Sequence, residues 1–312
     1  MRSVTSTPQT SRRILPTLVL KIFRSFAMSV FRLRRYGASI CAGLIGAAIL
    51  GSSAFAQDSA EELAKKAQDP LADVTALFTD NTVGFNQGLA DDTGYNFQLQ
   101  PVKSFDTPYG FRLIARGIIP IVGAPTGSDF VFLGDLGGPA TPVPTSTTTP
   151  WGLSDTMVQT FVSPKTDGSV KFGIGPQFSV PTHTDGRLKG PSWGAGVSAV
   201  VFGGIGNLAI GSVVAQHWGN EGDFSSMTIQ PIVLYNFDEL PGVYLGYNNT
   251  ISADWKQSGN DVWTVPLGLT LGKTIPVGGG SAVDLSLGGY NVVARPDGAP
   301  DWQLKFGISV LR

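Results

Sequence analysis

The chain has 312 residues, with Gly at 40 positions and only 14% charged side chains, roughly twice the ordinary glycine usage and about half the ordinary charge. Its net charge of −1 joins two unequal parts: residues 1–56 carry eight Lys or Arg and no acid, leaving 14 basic and 23 acidic residues (−9) from Gln57 onward. Together with a single cysteine, Cys41, and two histidines, His183 and His217, this composition excludes a disordered chain, a basic nucleic-acid binder, a disulfide scaffold and a Cys-based metal site.

Gly37 to Leu50 is a 14-residue stretch without charge, preceded by Arg32, Arg34 and Arg35 and followed by Ala54-Phe55-Ala56. That order predicts a secretory signal over residues 1–56, cleaved before Gln57, with residues 1–27 a start-site over-call ahead of Met28. The stretch falls short of the roughly 20 apolar residues a spanning helix needs. Asp58 to Gln68 (DSAEELAKKAQ) has acids early and bases late, which suits a short surface helix. Residues 57–93 are therefore expected to be a helical periplasmic or plug segment.

From Tyr95 onward, stretches of about ten residues alternate apolar with small or polar side chains, between clusters of Gly, Pro, Asp, Asn and Ser. Twelve strands are expected, near 95–104, 109–121, 129–136, 154–163, 170–180, 192–202, 207–218, 224–236, 242–254, 261–275, 281–293 and 302–311. In the last, Trp302, Leu304, Phe306, Ile308 and Val310 oppose Gln303, Lys305, Gly307 and Ser309. Phe172, Ile174, Phe178 and Val180 likewise oppose Lys171, Gly173, Gly175, Gln177 and Ser179. A soluble sandwich also alternates, but its exterior carries charge. Here the second face is Gly, Ser, Thr and Gln, as suits the wet interior of a membrane barrel with its apolar face on lipid. The expected fold is all-β: a closed antiparallel transmembrane barrel of about 12 strands over 94–312, behind a short helical segment.

Connection lengths agree with an even-stranded barrel. GGPATPVPTSTTTPWG and PTHTDGRLKGPS are long, whereas GGIG, DELPG and VGGG are tight; outward loops are long and inward turns short in such barrels. One outward connection, Asp106-Thr107-Pro108, is unexpectedly short. Trp151, Trp193, Trp218, Trp255, Trp263 and Trp302 each adjoin an outward connection, as an interfacial aromatic girdle would; unrelated core tryptophans would not gather at one end of the strands.

The C-terminal third, with ADW at 253–255, WTVPLG at 263–268 and RPDGAPDWQL at 295–304, resembles a family of Gram-negative outer-membrane proteins labelled as transporters. That family is related to the meta-pathway phenol-degradation outer-membrane proteins, and some members carry the name of the peptide neuromedin U. DPLADVTALFTDN near the mature start, FQLQPV, FLGDLG around Asp135 and GIGPQFSVPTHTD followed by WGAG extend the resemblance over most of residues 69–311. It implies an outer-membrane barrel passing small solutes, hydrophobic or aromatic compounds among them. The Thr/Pro-rich Pro139–Pro150 loop and the terminal Arg312, in place of an aromatic-apolar tail, depart from the family pattern.

Candidate chemistry is sparse. His183-Thr184-Asp185 sits between Pro181 and Gly186, where a turn outweighs an acid/base pair. Ser212 and His217, five residues apart, face opposite sides of a strand, so a membrane-embedded hydrolase is the minor reading. Gly278–Gly280 lacks the Lys-Ser or Lys-Thr of a phosphate loop and is a turn. RPDGAPD closes a tight loop, with cation binding by Asp297 and Asp301 a lesser option. The candidate lumen-lining residues are Arg112 and Arg116 on one face of their strand, with Lys305 and Asp284; pore lining and structural pairing weigh equally. Placed beside Asn96, Gln98 and Gln100 at a closure of the last strand on strand 95–104, Arg112, Arg116 and Lys305 imply a mild preference for anionic or acceptor-rich solutes, tempered by Asp284.

The expected function is a passive outer-membrane channel, non-enzymatic and without cofactor. Its partners would be outer-membrane lipid, a small-molecule solute and the barrel-assembly machinery, with no nucleic acid. A structural or loop-displaying barrel is the alternative.

Overall fold

The computed structural model describes residues 57–88, 91–125, 127–133, 141–166 and 168–312, without the side chains of 57–60, 127–133 and 141–148. The expected signal segment and the part of the FLGDLG motif from Gly134 onward, Asp135 included, lie outside the described residues. Helix α1 (Gln57–Gln68) forms where expected, with Lys65 and Lys66 in its last turn and i,i+4 pairs to Glu61 and Glu62.

Sixteen strands follow among the described residues: β1 (Thr75–Gln87), β2 (Asp92–Asp106), β3 (Phe111–Gly123), β4 (Gly127–Leu133), β5 (Thr141–Thr148), β6 (Trp151–Leu153), β7 (Thr156–Pro164), β8 (Val170–Val180), β9 (Gly194–Ile205), β10 (Leu208–Gly219), β11 (Ser225–Asn236), β12 (Val243–Asn248), β13 (Ile251–Asp254), β14 (Trp263–Gly278), β15 (Ser281–Ala294) and β16 (Trp302–Leu311). They form a closed twelve-stave antiparallel barrel. Short β6 adds to β3, β4 pairs only with β5, and β12 and β13 are halves of one stave, since both pair with β11 and β14. The stave breaks where Asn249 turns in, its Oδ1 accepting from the Thr250 N–H at 2.8 Å and its Nδ2 donating to Gln303 at 3.2 Å.

The expected number of staves is right, but its membership is corrected at two places. The segment 129–136 is no stave: Gly127–Leu133 belongs to a separate β4–β5 hairpin. The missing stave is β1, inside the segment expected to be helical, so the barrel begins at Thr75 and β16 closes on β1, from Ala76↔Leu311 to Phe85↔Trp302, with β2 one stave further on. The short Asp106-Thr107-Pro108 connection thereby becomes a turn at the tight end.

The connections at 107–110, 165–169, 206–207, 237–242 and 279–280 lie at one end, the turn end; those at the other, the loop end, include the long 181–193, 255–262 and 295–301 and the short 220–224. Gly278, Gly279 and Gly280 hold φ of 91°, 61° and 75°, which L side chains adopt at a cost, so the turn depends on glycine. Gly175 serves a different need, because a Cβ there would lie 2.2 Å from the Thr160 carbonyl oxygen on β7.

Alternation resolves as expected. On β8, Phe172 and Ile174 are 58% and 60% exposed outward, while Gly173, Gly175, Gln177 and Ser179 are buried inward. Phe178, Val197, Val201, Leu267, Leu269, Ile308 and Val310 continue the exposed apolar surface around the wall, more than a soluble monomer normally shows. Its natural solvent is lipid hydrocarbon, where an unpaired sheet edge is not tolerated.

The β1–β16 seam is directly testable. Val83 opposes Leu304, within disulfide reach in an antiparallel pair. A Val83→Cys/Leu304→Cys protein in a Cys41→Ala background should form an intramolecular disulfide, seen as a reducible shift of the unheated band. A Leu304→Cys protein that instead cross-links to a cysteine placed on β2 would refute the seam.

Candidate functional site: the barrel lumen

The turn end of the lumen is covered by α1 and the segment 69–74. Gln68 and Asn236 exchange two amide hydrogen bonds, at 2.8 and 3.1 Å. Asp69 accepts from the Leu71 N–H at 2.8 Å and pairs with Lys171 at 2.5 Å. Asp73 accepts from Ser104 at 2.5 Å and pairs with Arg112 at 3.1 Å. Between these polar anchors Leu71, only 2% exposed, enters an apolar cluster with Ile114, Phe161, Val200 and Val213, while Leu63, Ala72 and Val74 pack with Ala76, Ala282 and Leu311. Burying one leucine contributes about 1.5–3 kcal/mol, so Leu71 fixes the segment as firmly as any single polar contact.

Beyond this floor lies a cavity of about 160 Å³ whose wall interleaves the polar Asp80, Gln100, Arg116, Gln230, Tyr244, Asn248, Asp284 and Lys305 with the apolar Phe78, Val102, Ile114, Phe161, Val213, Ile232 and Leu234. Arg116 donates from Nε and Nη2 to Gln100 Oε1 at 3.1 and 2.5 Å, and Gln100 Nε2 donates to Gln98 at 2.7 Å. Lys305 pairs with Asp80 at 2.8 Å. Asp284 accepts from the Tyr244 and Thr274 hydroxyls at 2.9 and 2.6 Å. The Thr270 and Tyr290 hydroxyls share a bond of 2.6 Å.

Three of the four expected lumen residues, Arg116, Asp284 and Lys305, therefore line one cavity. Arg112 does not: it lines a second recess of about 460 Å³ at the turn end, with Glu62, Lys66, Asp73 and Lys171, and is held by Asp73 and by Asp106 at 2.9 Å. Sequence reasoning missed Asp80 and Asp73 because β1 and its approach were assigned to the N-terminal helical segment. The period-2 inward placement of Asp80 beside Phe78 and Ala76 was the available signal.

At the loop end the six tryptophans all fall beside loop connections, with Trp151 against Tyr95 at 5.7 Å and Trp255 edge-on to Trp263 at 5.8 Å. His183, expected only as part of a turn, has a specific partner. Asp155, its side chain fully buried, accepts from the His183 ring Nδ1–H at 2.6 Å, from the N–H groups of Thr182 and His183, and from those of Gly190 and Ser192 at 2.9 and 2.7 Å. Loop 181–193 is thereby tied to the β6–β7 connection. Lys189, bonded to Glu221 at 2.5 Å and to Asp223 at 3.0 Å, ties it to the next loop.

His217 has Ser179 as its neighbour, Oγ to Nε2 at 2.9 Å, in place of Ser212. Both side chains are buried, at 1% and 3% exposure, and neither lines either of these two cavities. A nucleophile needs reach to substrate and an orienting acceptor on its base, and His217 Nδ1 has no partner among the described residues.

No protein family matches the sequence, and no curated protein matches it. Among solved structures the fold is similar to the COG4313 outer membrane channel from Pseudomonas putida F1, at 14% identity and TM-score 0.50, covering 77% of this chain and 94% of that one. It is also similar, at TM-score 0.39 and 13% identity over 81% and 97%, to outer membrane phospholipase A from Escherichia coli. A FadL homologue of Pseudomonas aeruginosa follows at 0.34 and 9% over 76% and 89%. The class is thus a β-barrel of the outer-membrane type; at these identities the likeness is one of fold.

Burial opposes ionisation of Asp155, but its bonds to the His183 ring and to the Ser192, His183 and Gly190 N–H groups outweigh it and hold the carboxyl below the usual carboxylate range. A carboxyl depressed on folding stabilises above its unfolded value of about 3.9, and that stability is lost as pH falls through the folded value. Protection of loop 181–193 against hydrogen exchange, taken relative to the intrinsic rate at each pH, should hold from neutral pH to about 4 and fall below. Asp155→Ala should cost about 1–3 kcal/mol and expose the loop at every pH; equal protection in the variant would refute the tie.

Proposed function

We propose that this protein is an outer-membrane channel through which small solutes pass, delivered to the membrane by the cleaved signal and inserted by the barrel-assembly machinery. The observation that carries the reading is the cavity inside the barrel: a closed wall with a lipid-compatible exterior surrounds a space lined by Asp80, Arg116, Asp284 and Lys305 together with the apolar Ile114, Phe161, Val213 and Ile232. Twelve staves lie between the filled eight-stranded barrel and the open porin of about sixteen, which supports a narrow path. The mixed lining suits solutes with apolar surface, in line with the hydrophobic or aromatic cargo the sequence resemblance implies. A structural, loop-displaying barrel is the alternative, and a hydrolase finds little support in the buried Ser179–His217 pair.

Refolded protein in planar bilayers should give small, discrete conductance steps, and proteoliposomes should swell in small solutes only. Leu71→Ala, which removes about 2–4 kcal/mol of docking at the turn end, should lengthen open times or enlarge the step severalfold. A silent barrel that neither conducts nor swells would favour the structural reading, and release of fatty acid from the liposomes the hydrolase.

In this reading the six tryptophans lie at headgroup depth, where an indole keeps its ring apolar and its N–H hydrated. Lipids brominated near the headgroup should quench most of their emission; quenching centred on the bilayer midplane would show that the wall is set wrongly in the membrane.

A further inference from the structure

We propose that Asp80 sets the ion preference of the lumen by balancing Lys305 and Arg116, making it the specificity-determining residue of the wall. The inference rests on the channel reading. It starts from a row of polar side chains across four consecutive staves: Lys305 on β16, Asp80 on β1, Gln98 and Gln100 on β2, and Arg116 on β3.

Closure alone creates this row. Asp80 and Lys305 are more than 200 positions apart in sequence and meet because Asn81 lies opposite Phe306 and Thr82 opposite Lys305. Within the row the contacts are unequal. Lys305 has Asp80 at 2.8 Å, whereas Arg116 makes no ion pair among the described residues and is held by the neutral Gln100 amide oxygen. Asp80 reaches Arg116 only through its field. The row therefore holds two cations and one anion, a net of +1 that the Gln98–Gln100 bridge leaves undiminished. Asp284 also faces this cavity, on its two hydroxyl donors; it is common to every variant below and cancels from their comparison.

A narrow path with low-dielectric walls focuses such a charge onto whatever passes. Removing Asp80 unmasks Lys305 and raises the row to +2. Removing Asp80 and Lys305 together returns it to +1. Removing Arg116 alone leaves a neutral pair. Ion preference should therefore follow the count and not the identity of the residue replaced.

The test is the reversal potential of single channels in a KCl gradient, at low ionic strength where screening is weakest. Asp80→Asn should raise the anion-to-cation permeability ratio roughly fivefold, the effect of one unit charge at about 8 Å in water acting with opposite sign on the two ions. Asp80→Asn/Lys305→Gln should return to the wild-type value, and Arg116→Gln should shift toward cations by a similar factor. Heat-modifiable migration on gels reports whether each barrel is folded. If Asp80→Asn does not fold, the other two variants decide the matter: a wild-type value for the double variant with a cation shift for Arg116→Gln supports the count, and any other pattern overturns it. Conducting variants with unmoved reversal potentials, or a double variant as displaced as Asp80→Asn, overturn the assignment while leaving the channel intact. A wild-type protein that never conducts overturns the channel reading, and this inference with it.

Discussion

Everything in this molecule depends on a hydrogen-bonding constraint: in hydrocarbon, no backbone N–H or C=O on a strand can be left without a partner. The pairing of β1 with β16 meets it by joining the first and last staves of the chain. That ladder fixes the circumference, and the circumference fixes the interior problem. An eight-stranded barrel can be filled by its own side chains and a sixteen-stranded one left open to water. At twelve staves the side chains alone leave space, and the segment from Asp69 to Val74 occupies part of it at the turn end.

Filling a lumen with polar groups raises a second constraint, since charge withdrawn from bulk water is costly unless it is paired or hydrogen-bonded. The wall obeys this nearly everywhere. Lys305 has Asp80, Lys171 has Asp69, Arg112 has Asp73 and Asp106, and Asp284 has two hydroxyl donors. Arg116 stands apart, a cation served by an amide. The carboxylates come largely from the first stave and its approach, so the part of the chain that closes the barrel also neutralises it.

The alternation of side chains made the wall legible, because a period of two survives any error in depth or order. The first stave escaped because TALFTDNTVGFNQ carries polar residues on both faces: Asn81 shares the outer face with Phe97 and Phe306, buried there with the Tyr95 hydroxyl bonded to it at 2.5 Å. An amide sheltered beneath aromatic neighbours reads in sequence as an interruption. The apolar run FVFLGDLG errs in the opposite direction, since Phe130 to Leu133 do form a strand but pair only within a hairpin off the barrel. One stave omitted and one added, both before Thr156, leave the direction of every later strand unchanged. The connections from there onward therefore fall at the ends of the barrel expected of them, and the only trace of the error was the unexpectedly short connection at Asp106.

Depth and partnership were not legible, and the reason is geometric. Arg112 and Arg116 share a face but stand four residues apart, about 13 Å along a strand, so one belongs to the turn-end mouth and the other to the mid-lumen wall. What each touches is decided by segments far away in the chain, which no local period encodes. The same long-range contacts give the two ends of the barrel different mechanical characters. At the loop end Asp155 collects backbone N–H groups from across 182–192, so loop position is fixed by the main chain itself. At the turn end the covering segment is held mostly through side chains, by Gln68, Asp69, Leu71 and Asp73. Side-chain contacts break one at a time, whereas a carboxylate shared among several main-chain donors releases them together. A barrel built this way sets its loop end through the main chain and its turn-end cover through side chains, beneath the charged row that closure has assembled.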